Sequence, residues 1–276
     1  MPRNVELDLA LAGLALARNW LVGEAAVVEQ TLAEIRRLAG SDRPDSFESA
    51  EFGVAEGYDE WAASYDAPTN PVVTLEAPVV RRLLEELEPR TALDAACGTG
   101  RHSAVLAELG HRVVGVDVSE AMLERARARV PQADFRVGDL TSLPVGSGSV
   151  ELAVCALALT HLADPAPAIA ELGRAVRRGG RVIVSDVHPV LVALGAQAAF
   201  RSSGERRGYV RNYVHWPGTY LRAFAAGGLR VDACHDVLYG REQIDLWAAG
   251  LELSYDVVVE AIQGLPGIVV WEATRE

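Results

Sequence analysis

The chain has 276 residues, half of them apolar, three cysteines and a formal net charge of −12, so it can bury a sizeable core as one large domain or one domain with an appendage. Every one of its 26 basic side chains is arginine, which removes the Walker-type phosphate loop, the Schiff-base lysine and the Tyr-x-x-x-Lys pair of short-chain dehydrogenases. The acidic balance argues against a broad phosphate-binding face, and so against nucleic acid as a partner.

Residues 5–39 read as two helices, the second with Val28, Leu32, Ile35 and Leu38 on one face. These helices are expected to cap the core or to pair with another subunit as a homodimer contact. The apolar run from Leu9 to Ala17 invites comparison with an export signal, but Glu6 and Asp8 stand where such signals avoid acids. With cysteines few, odd in number and far apart, the expected compartment is the cytoplasm. No run reaches the length of a membrane span, so no membrane partner is expected. The polar stretch 40–53 reads as a linker. The expected organisation is a helical extension and linker at 1–53 followed by a domain at 54–276.

From Pro71 short apolar runs alternate with helical segments. "VVTLEAPVVRRLLEEL" is helical, "TALDA" a strand, "GRHSAVLAELG" a helix and "RVVGVDV" a strand; Ser119 then opens a helix as its N-cap. "ADFRVGD" and "VELAVCAL" are strands, "DPAPAIAELGRAVRRGG" is a helix and "RVIVSDV" the fifth strand. Apolar strands separated by helices predict a doubly wound α/β fold, its mostly parallel sheet covered on both faces. Ligands of such sheets bind beyond the carboxyl ends of the strands. Asp94, Asp117, Asp139 and residues 155–157 all fall at or just past those ends.

In "LDAACGTGRHS", Gly98 and Gly100 allow a tight turn and close approach of a ligand. A carboxylate at Asp117 can accept both hydroxyls of a ribose, and one at Asp139 can take an adenine amino group. A nicotinamide dinucleotide would want Gly-x-Gly-x-x-Gly at the helix N-terminus. Here Ser103 holds the third position and Asp94 would repel a pyrophosphate. The turn therefore prefers a cationic or neutral group, and an NAD-dependent oxidoreductase is the weaker alternative.

These residues resemble the class I S-adenosylmethionine-dependent methyltransferases, in the branch acting on small molecules. "LDAACGTGRHS" is similar to that family's first motif, with Ala96 where glycine is usual, and "VVGVDVSEAML" to its second. "FRVGDLTSLPVGSGSVELAVCALALTHL" is similar to the third and fourth motifs, "ELGRAVRRGGRVIVSDVHP" to the following helix and fifth strand, and "YDEWAASYD" (58–66) to the helix that folds over the cofactor. The resemblance covers roughly residues 56 to 273 and implies a seven-stranded Rossmann-like sheet whose last strand, "GIVVWEAT", is antiparallel. It implies that Asp94 holds the methionine ammonium of S-adenosylmethionine while Ala96, Gly98 and Gly100 pass beneath it, and that Asp117 clasps the ribose, with Met122 in the same motif. Asp139 and the Leu140 backbone would take the adenine, Cys155 and Ala156 would line the sulfonium end, and Tyr58, Trp61 and Tyr65 would close from above, where an aromatic face gains cation–π attraction.

The implied reaction is methyl transfer by in-line displacement to an O or N nucleophile of a small molecule, of a kind met in secondary metabolism; the alternative within this fold is a cofactor-binding protein catalysing a non-methylating reaction. Three histidines, His161, His188 and His215, lie on segments expected above the strand tips, where an imidazole could accept a proton from the nucleophile. Residues 187–227 interrupt the alternation and are expected to cover the substrate. Their Arg201, Arg206, Arg207 and Arg211 could grip a carboxylate, and Arg211, Tyr213 and Trp216 are the candidate substrate contacts. No metal site is expected, since no cluster has metal-ligand spacing.

Overall fold

The computed structural model describes residues 5–40, 49–67, 70–201 and 207–276. In chain order they form α1 (Val5–Asn19), α2 (Ala25–Ala39), β1 (Ala50–Phe52), α3 (Val54–Trp61), α4 (Pro71–Glu85), β2 (Thr91–Ala95), α5 (Arg101–Glu108), β3 (Arg112–Asp117), α6 (Glu120–Arg129), β4 (Asp134–Val137) and β5 (Val150–Ala156). A 3-10 turn at Leu159–His161 leads to α7 (Ala166–Ala175), β6 (Val176–Val187), α8 (Pro189–Ala193), β7 (Ala198–Arg201), β8 (Arg207–Val210), α9 (Pro217–Ala226), β9 (Leu229–Leu238), α10 (Arg241–Ala248), α11 (Tyr255–Ile262) and β10 (Pro266–Arg275).

Seven strands make one sheet in the order β4–β3–β2–β5–β6–β10–β9. The pairs among β2 to β6 are parallel, and β10 runs antiparallel to β6. Helices cover such a sheet on both faces, which is why "TALDA" and "VELAVCA" are apolar without alternation: Ala92, Leu93, Ala95, Leu152, Ala153 and Cys155 are fully buried. The chain leaves β2 toward β3 and β4, then returns to β5 on the other side. The switch point is therefore the gap between the carboxyl ends of β2 and β5.

Two differences from the expected elements have physical causes. α7 stops at Ala175, and "VRRGG" is already strand: Val176 pairs with Val150 before a register shift, with Gly179 at φ 75° and Gly180 against the Glu151 carbonyl. A second, three-stranded sheet of order β1–β8–β7 was not foreseen; its β1 lies in the stretch read as a linker, and β7 and β8 lie in the segment expected to cover the substrate.

The chain divides into two compact units. One comprises 48–237 and 267–276 and contains both sheets. The other joins 1–47 to 238–266 and so includes α10 and α11, whereas the sequence reading sets its boundary at 53/54. Its core brings Leu11, Ala12, Ala15 and Leu38 onto Ile244, Leu253, Val257, Val258, Ala261 and Ile262. Arg18 fixes the packing by donating to the carbonyls of Ala261 and Gln263, at 2.8 and 2.9 Å. Among the described residues no helix is long and apolar enough to cross a membrane.

Candidate functional site

The turn that leaves β2 is built around positive φ. Ala96, Gly98 and Gly100 have φ of 57°, 53° and 77°, and past β5 Leu157 has 56°. Ala96 and Leu157 are the two non-glycine residues in this region among those described, and they sit just beyond the two strands that flank the switch point. Such strain collects where the surrounding structure holds a backbone in a working shape. At Gly100 a Cβ would stand 3.0 Å from the Ala126 backbone, so α5 can begin beside α6 only without a side chain. At Gly98 an added Cβ would meet nothing within 4 Å; the backbone there faces open space that a ligand can enter.

Two buried carboxylates flank that opening. Asp94 is 1% exposed and accepts a 2.6 Å hydrogen bond from Ser103 Oγ. Asp117 accepts from the N–H of Gly98 at 2.8 Å and of Ser119 at 2.9 Å. Burial raises the pKa of both, against the pull of these donors and, for Asp94, of His102 and Arg101. Neither fills all of its roughly four acceptor positions, and among the described residues no cation bonds to either directly. A buried acid short of positive charge suits an ammonium, and an acid with spare lone pairs suits hydroxyls. The donor set and the open face at Gly98 thus fit S-adenosylmethionine. Asp139, on an exposed turn, accepts from Thr141 N and Oγ1 at 2.7 and 2.5 Å, with Leu140 half-buried beside it. Met122 and Cys155 are fully buried, burial pushes the Cys155 thiol up, and Ala156 is half-buried at the end of β5.

The opposite wall comes from α3 and the residues after it. Tyr58 stacks on Trp61 at 5.8 Å, Trp61 meets Tyr65 edge-on at 5.1 Å, and Trp61 stacks on Phe200 at 5.6 Å, with Phe52 beyond. "YDEWAASYD" repeats Tyr-Asp, and the second member of each pair fastens the segment. Asp59 accepts from Ser119 Oγ at 2.6 Å and Ala121 N at 3.2 Å; Asp66 accepts from Thr99 Oγ1 and from Arg129, both at 2.7 Å. Sequence reasoning picked the aromatics and missed Asp59, Asp66, Phe52 and Phe200, although the repeat was a signal for the acids. It also missed Glu76, fully buried, which accepts from Arg101 Nη1 at 2.6 Å and Ser185 Oγ at 2.7 Å and pairs with His102 Nε2 at 2.9 Å. Burial alone would raise that carboxyl; His102, Arg101 and the Ser185 hydroxyl together hold it at about 2.

The three histidines differ. His161 Nδ1 lies 3.0 Å from the Arg211 carbonyl, which can only accept, so the proton is on Nδ1 and Nε2 accepts the Tyr58 hydroxyl at 2.7 Å. Burial lowers the His161 pKa, partly offset by that carbonyl, and raises that of Tyr58, so both are neutral near pH 7. His188 caps α8: its Nδ1 accepts from Val190 N at 3.2 Å and Nε2 faces Asp236 at 3.4 Å. His215 donates Nε2–H to the Leu162 carbonyl at 2.8 Å and packs edge-on to Tyr220. Only His161 joins the aromatic wall. Asp186, fully buried, accepts from Tyr220 Oη at 2.7 Å and Val187 N at 2.9 Å, and burial pushes it up to about 7.

Arg211 is engaged by Glu51, which also accepts from Tyr209, and Arg206 lies outside the described residues. The backbone of Arg211 to Tyr213 instead runs along the 3-10 turn, Tyr213 N donating to Thr160 O at 2.7 Å. The Tyr213 and Trp216 side chains are partly exposed. Among the described residues no group of three or more His, Cys, Asp or Glu could hold a metal ion.

The family described as a methyltransferase domain matches residues 93–184. Over 159 residues the chain is 34% identical to a demethylmenaquinone methyltransferase of Renibacterium salmoninarum, covering 55% of this chain and 64% of that protein. A solved S-adenosylmethionine-dependent methyltransferase from Mesorhizobium loti superposes with a TM-score of 0.58 at 25% identity, over 73% of this chain and 98% of that one. A solved cyclase shares the fold with a TM-score of 0.57 at 18% identity, over 83% and 99%. The chain spans about half the length of the curated relatives it matches.

Proposed function

We propose that this chain, whose residues 93–184 match a methyltransferase domain and which superposes on a solved S-adenosylmethionine-dependent methyltransferase, is a class I S-adenosylmethionine-dependent methyltransferase that methylates an O or N nucleophile of a small molecule. The observation that carries this reading is the pair of buried carboxylates, Asp94 and Asp117, on either side of the open backbone at Gly98. Asp94 would hold the ammonium, Asp117 the ribose hydroxyls and Asp139 the adenine. When bound, the cofactor supplies a methyl group activated by its sulfonium.

The chain's own contribution to the reaction is placement, exclusion of water and removal of a proton. Tyr58 and His161 form the proton path: the Tyr58 hydroxyl accepts the proton of an incoming hydroxyl or amine while its own passes to His161 Nε2. The resulting imidazolium keeps its Nδ1–H on the Arg211 carbonyl, which stabilises the charge. His161 therefore acts through Tyr58, with its own Nε2 covered. The wall of Trp61, Tyr65 and Phe200 favours a flat or apolar substrate body over a carboxylate, in keeping with the pairing of Arg211 to Glu51.

Calorimetric titration with S-adenosylhomocysteine tests the cofactor reading: binding is expected, and a folded chain that ignores both this compound and S-adenosylmethionine contradicts it. Transfer of labelled methyl from S-adenosylmethionine to a panel of phenols, amines and carboxylates then tests the acceptor. A second reading, a non-methylating reaction in the same pocket, has support in the cyclase that shares the fold; cofactor retention with products that carry no label would favour it.

A further inference from the structure

Gly57 and Val210 each precede a partner of His161. Tyr58, which follows Gly57 on α3, donates its hydroxyl to His161 Nε2 at 2.7 Å, and His161 Nδ1–H donates to the carbonyl of Arg211, which follows Val210 at the end of β8, at 3.0 Å. The two preceding residues touch. Gly57 is buried in α3, and a Cβ there would overlap Val210 Cγ2 and stand 3.2 Å from Phe52 Cβ and 3.5 Å from the Phe200 ring. Glycine weakens the middle of a helix relative to alanine, so the gain from its missing side chain lies outside the helix: α3 rests directly on the small sheet, with the buried Val210 as its seat. β1 leads through Gly53 into α3 and pairs with β8, Phe52 opposite Val210. Glu51 ties the same strands together, accepting from Arg211 Nε at 2.7 Å and from Tyr209 Oη at 3.0 Å. One strand pair thus carries both segments that hold His161.

We propose that Gly57 and Val210 are positioning residues whose contact sets the distance between the Tyr58 hydroxyl and His161 Nε2, and with it the proton path. The inference rests on the proton path proposed above. A dense interior does not absorb an added methyl group without movement, so a Cβ at position 57 has to lift α3 from β8. Tyr58 is the next residue and moves with the helix, while His161 stays with the Arg211 carbonyl on the β8 side of the contact. A lift of about 1 Å carries the Tyr58 to His161 bond past hydrogen-bonding range. Asp94 and Asp117 bond to Ser103, Gly98 and Ser119, so the carboxylates assigned to the cofactor are spared.

Nitrogen NMR of the imidazoles in the full chain, without cofactor, reads the hydrogen bond directly. Gly57→Ala should move the His161 Nε2 resonance away from its hydrogen-bonded position and lower kcat about 100-fold, while the Kd for S-adenosylhomocysteine stays within about twofold. Adding Val210→Ala, which removes the overlapped methyl, should restore both resonance and rate. Val210→Ala alone introduces no overlap and should shift the resonance the same way by a smaller amount, because the seat is loosened. Gly208→Ala is the control. A Cβ there would stand 2.6 Å from the Phe52 ring and 2.8 Å from that of Phe200, so it overpacks the same sheet and should lower the melting temperature, yet it borders neither Tyr58 nor Arg211 and should leave the resonance in place. A shifted resonance with unchanged kcat upholds the positioning and counts against the proton path. An unchanged resonance in Gly57→Ala or in Val210→Ala, a double variant that recovers neither readout, or a shift in Gly208→Ala as large as in Gly57→Ala overturns the proposal.

Discussion

The turn after β2 and the segment 54–66 both supply site residues, yet they are held in different ways. Around Gly98 the geometry is local: Asp117 reaches the Gly98 N–H from the end of the adjacent strand, and Asp94 is braced by Ser103 two turns of chain away. The aromatic wall has little regular structure of its own beyond the eight residues of α3 and hangs on two acids, Asp59 and Asp66, that grip the very turn and helix that hold the first wall. On the proposed function, binding chemistry sits on the sheet edge and proton chemistry on a fastened segment. Changes to each wall should separate affinity from turnover.

The largest expected effect is on the second wall. Tyr58→Phe and His161→Gln should each lower kcat by about 100-fold or more while changing the Kd for S-adenosylhomocysteine less than about twofold, since they interrupt a proton path; steady-state kinetics beside calorimetry checks both, and wild-type kcat in either variant returns the pair to a structural role. Next, Asp117→Ala removes an acceptor from two backbone N–H groups and should weaken cofactor binding by about 1–3 kcal/mol, seen as a rise in Kd. Unchanged affinity would dissolve the contrast between the walls.

Asp186 sharpens the comparison by being acidic, buried and outside both walls. Its carboxyl holds a proton up to about pH 7 when folded, against an ordinary value of 3.8 when unfolded. The folded state thus binds the extra proton, and stability should fall as pH rises from about 4 to 7, by up to roughly 1.4 kcal/mol per pH unit. Thermal melts of Asp186→Asn against the parent should show that slope flattened. The smallest effect is at Ala96: glycine relieves a φ of 57° but frees the unfolded chain, and a net gain below about 1 kcal/mol in denaturant unfolding is expected.

This division also explains what the sequence could disclose. The turn around Gly98 and the acids at the ends of β2, β3 and β4 follow from strand, turn and helix signals within a few residues of one another, and the structure places them at one sheet edge. Tyr58 and His161 could each be named from local pattern, but their hydrogen bond joins positions 103 residues apart, and nothing in either stretch states it. The same holds for the small sheet: β1 has three residues and pairs with Gly208 to Val210, too short for period-two alternation to register. His161 could be favoured for following the fourth strand closely, but His188 and His215 stayed beside it as candidates because a helix cap and a bond to a loop carbonyl leave no mark on composition. The helical unit escaped for a related reason, since the apolar faces of α1 and α11 do not say which of many such faces they meet.

That unit has a consequence for the birth of the protein. Its first two helices leave the ribosome ahead of the surface they bury, from Ile244 to Ile262, which is translated about two hundred residues later, a delay on the order of tens of seconds at ordinary elongation speeds. Through that interval a strongly greasy hairpin must wait while the sheet condenses behind it, so chaperone dependence during synthesis should track the N-terminal helices rather than the catalytic core.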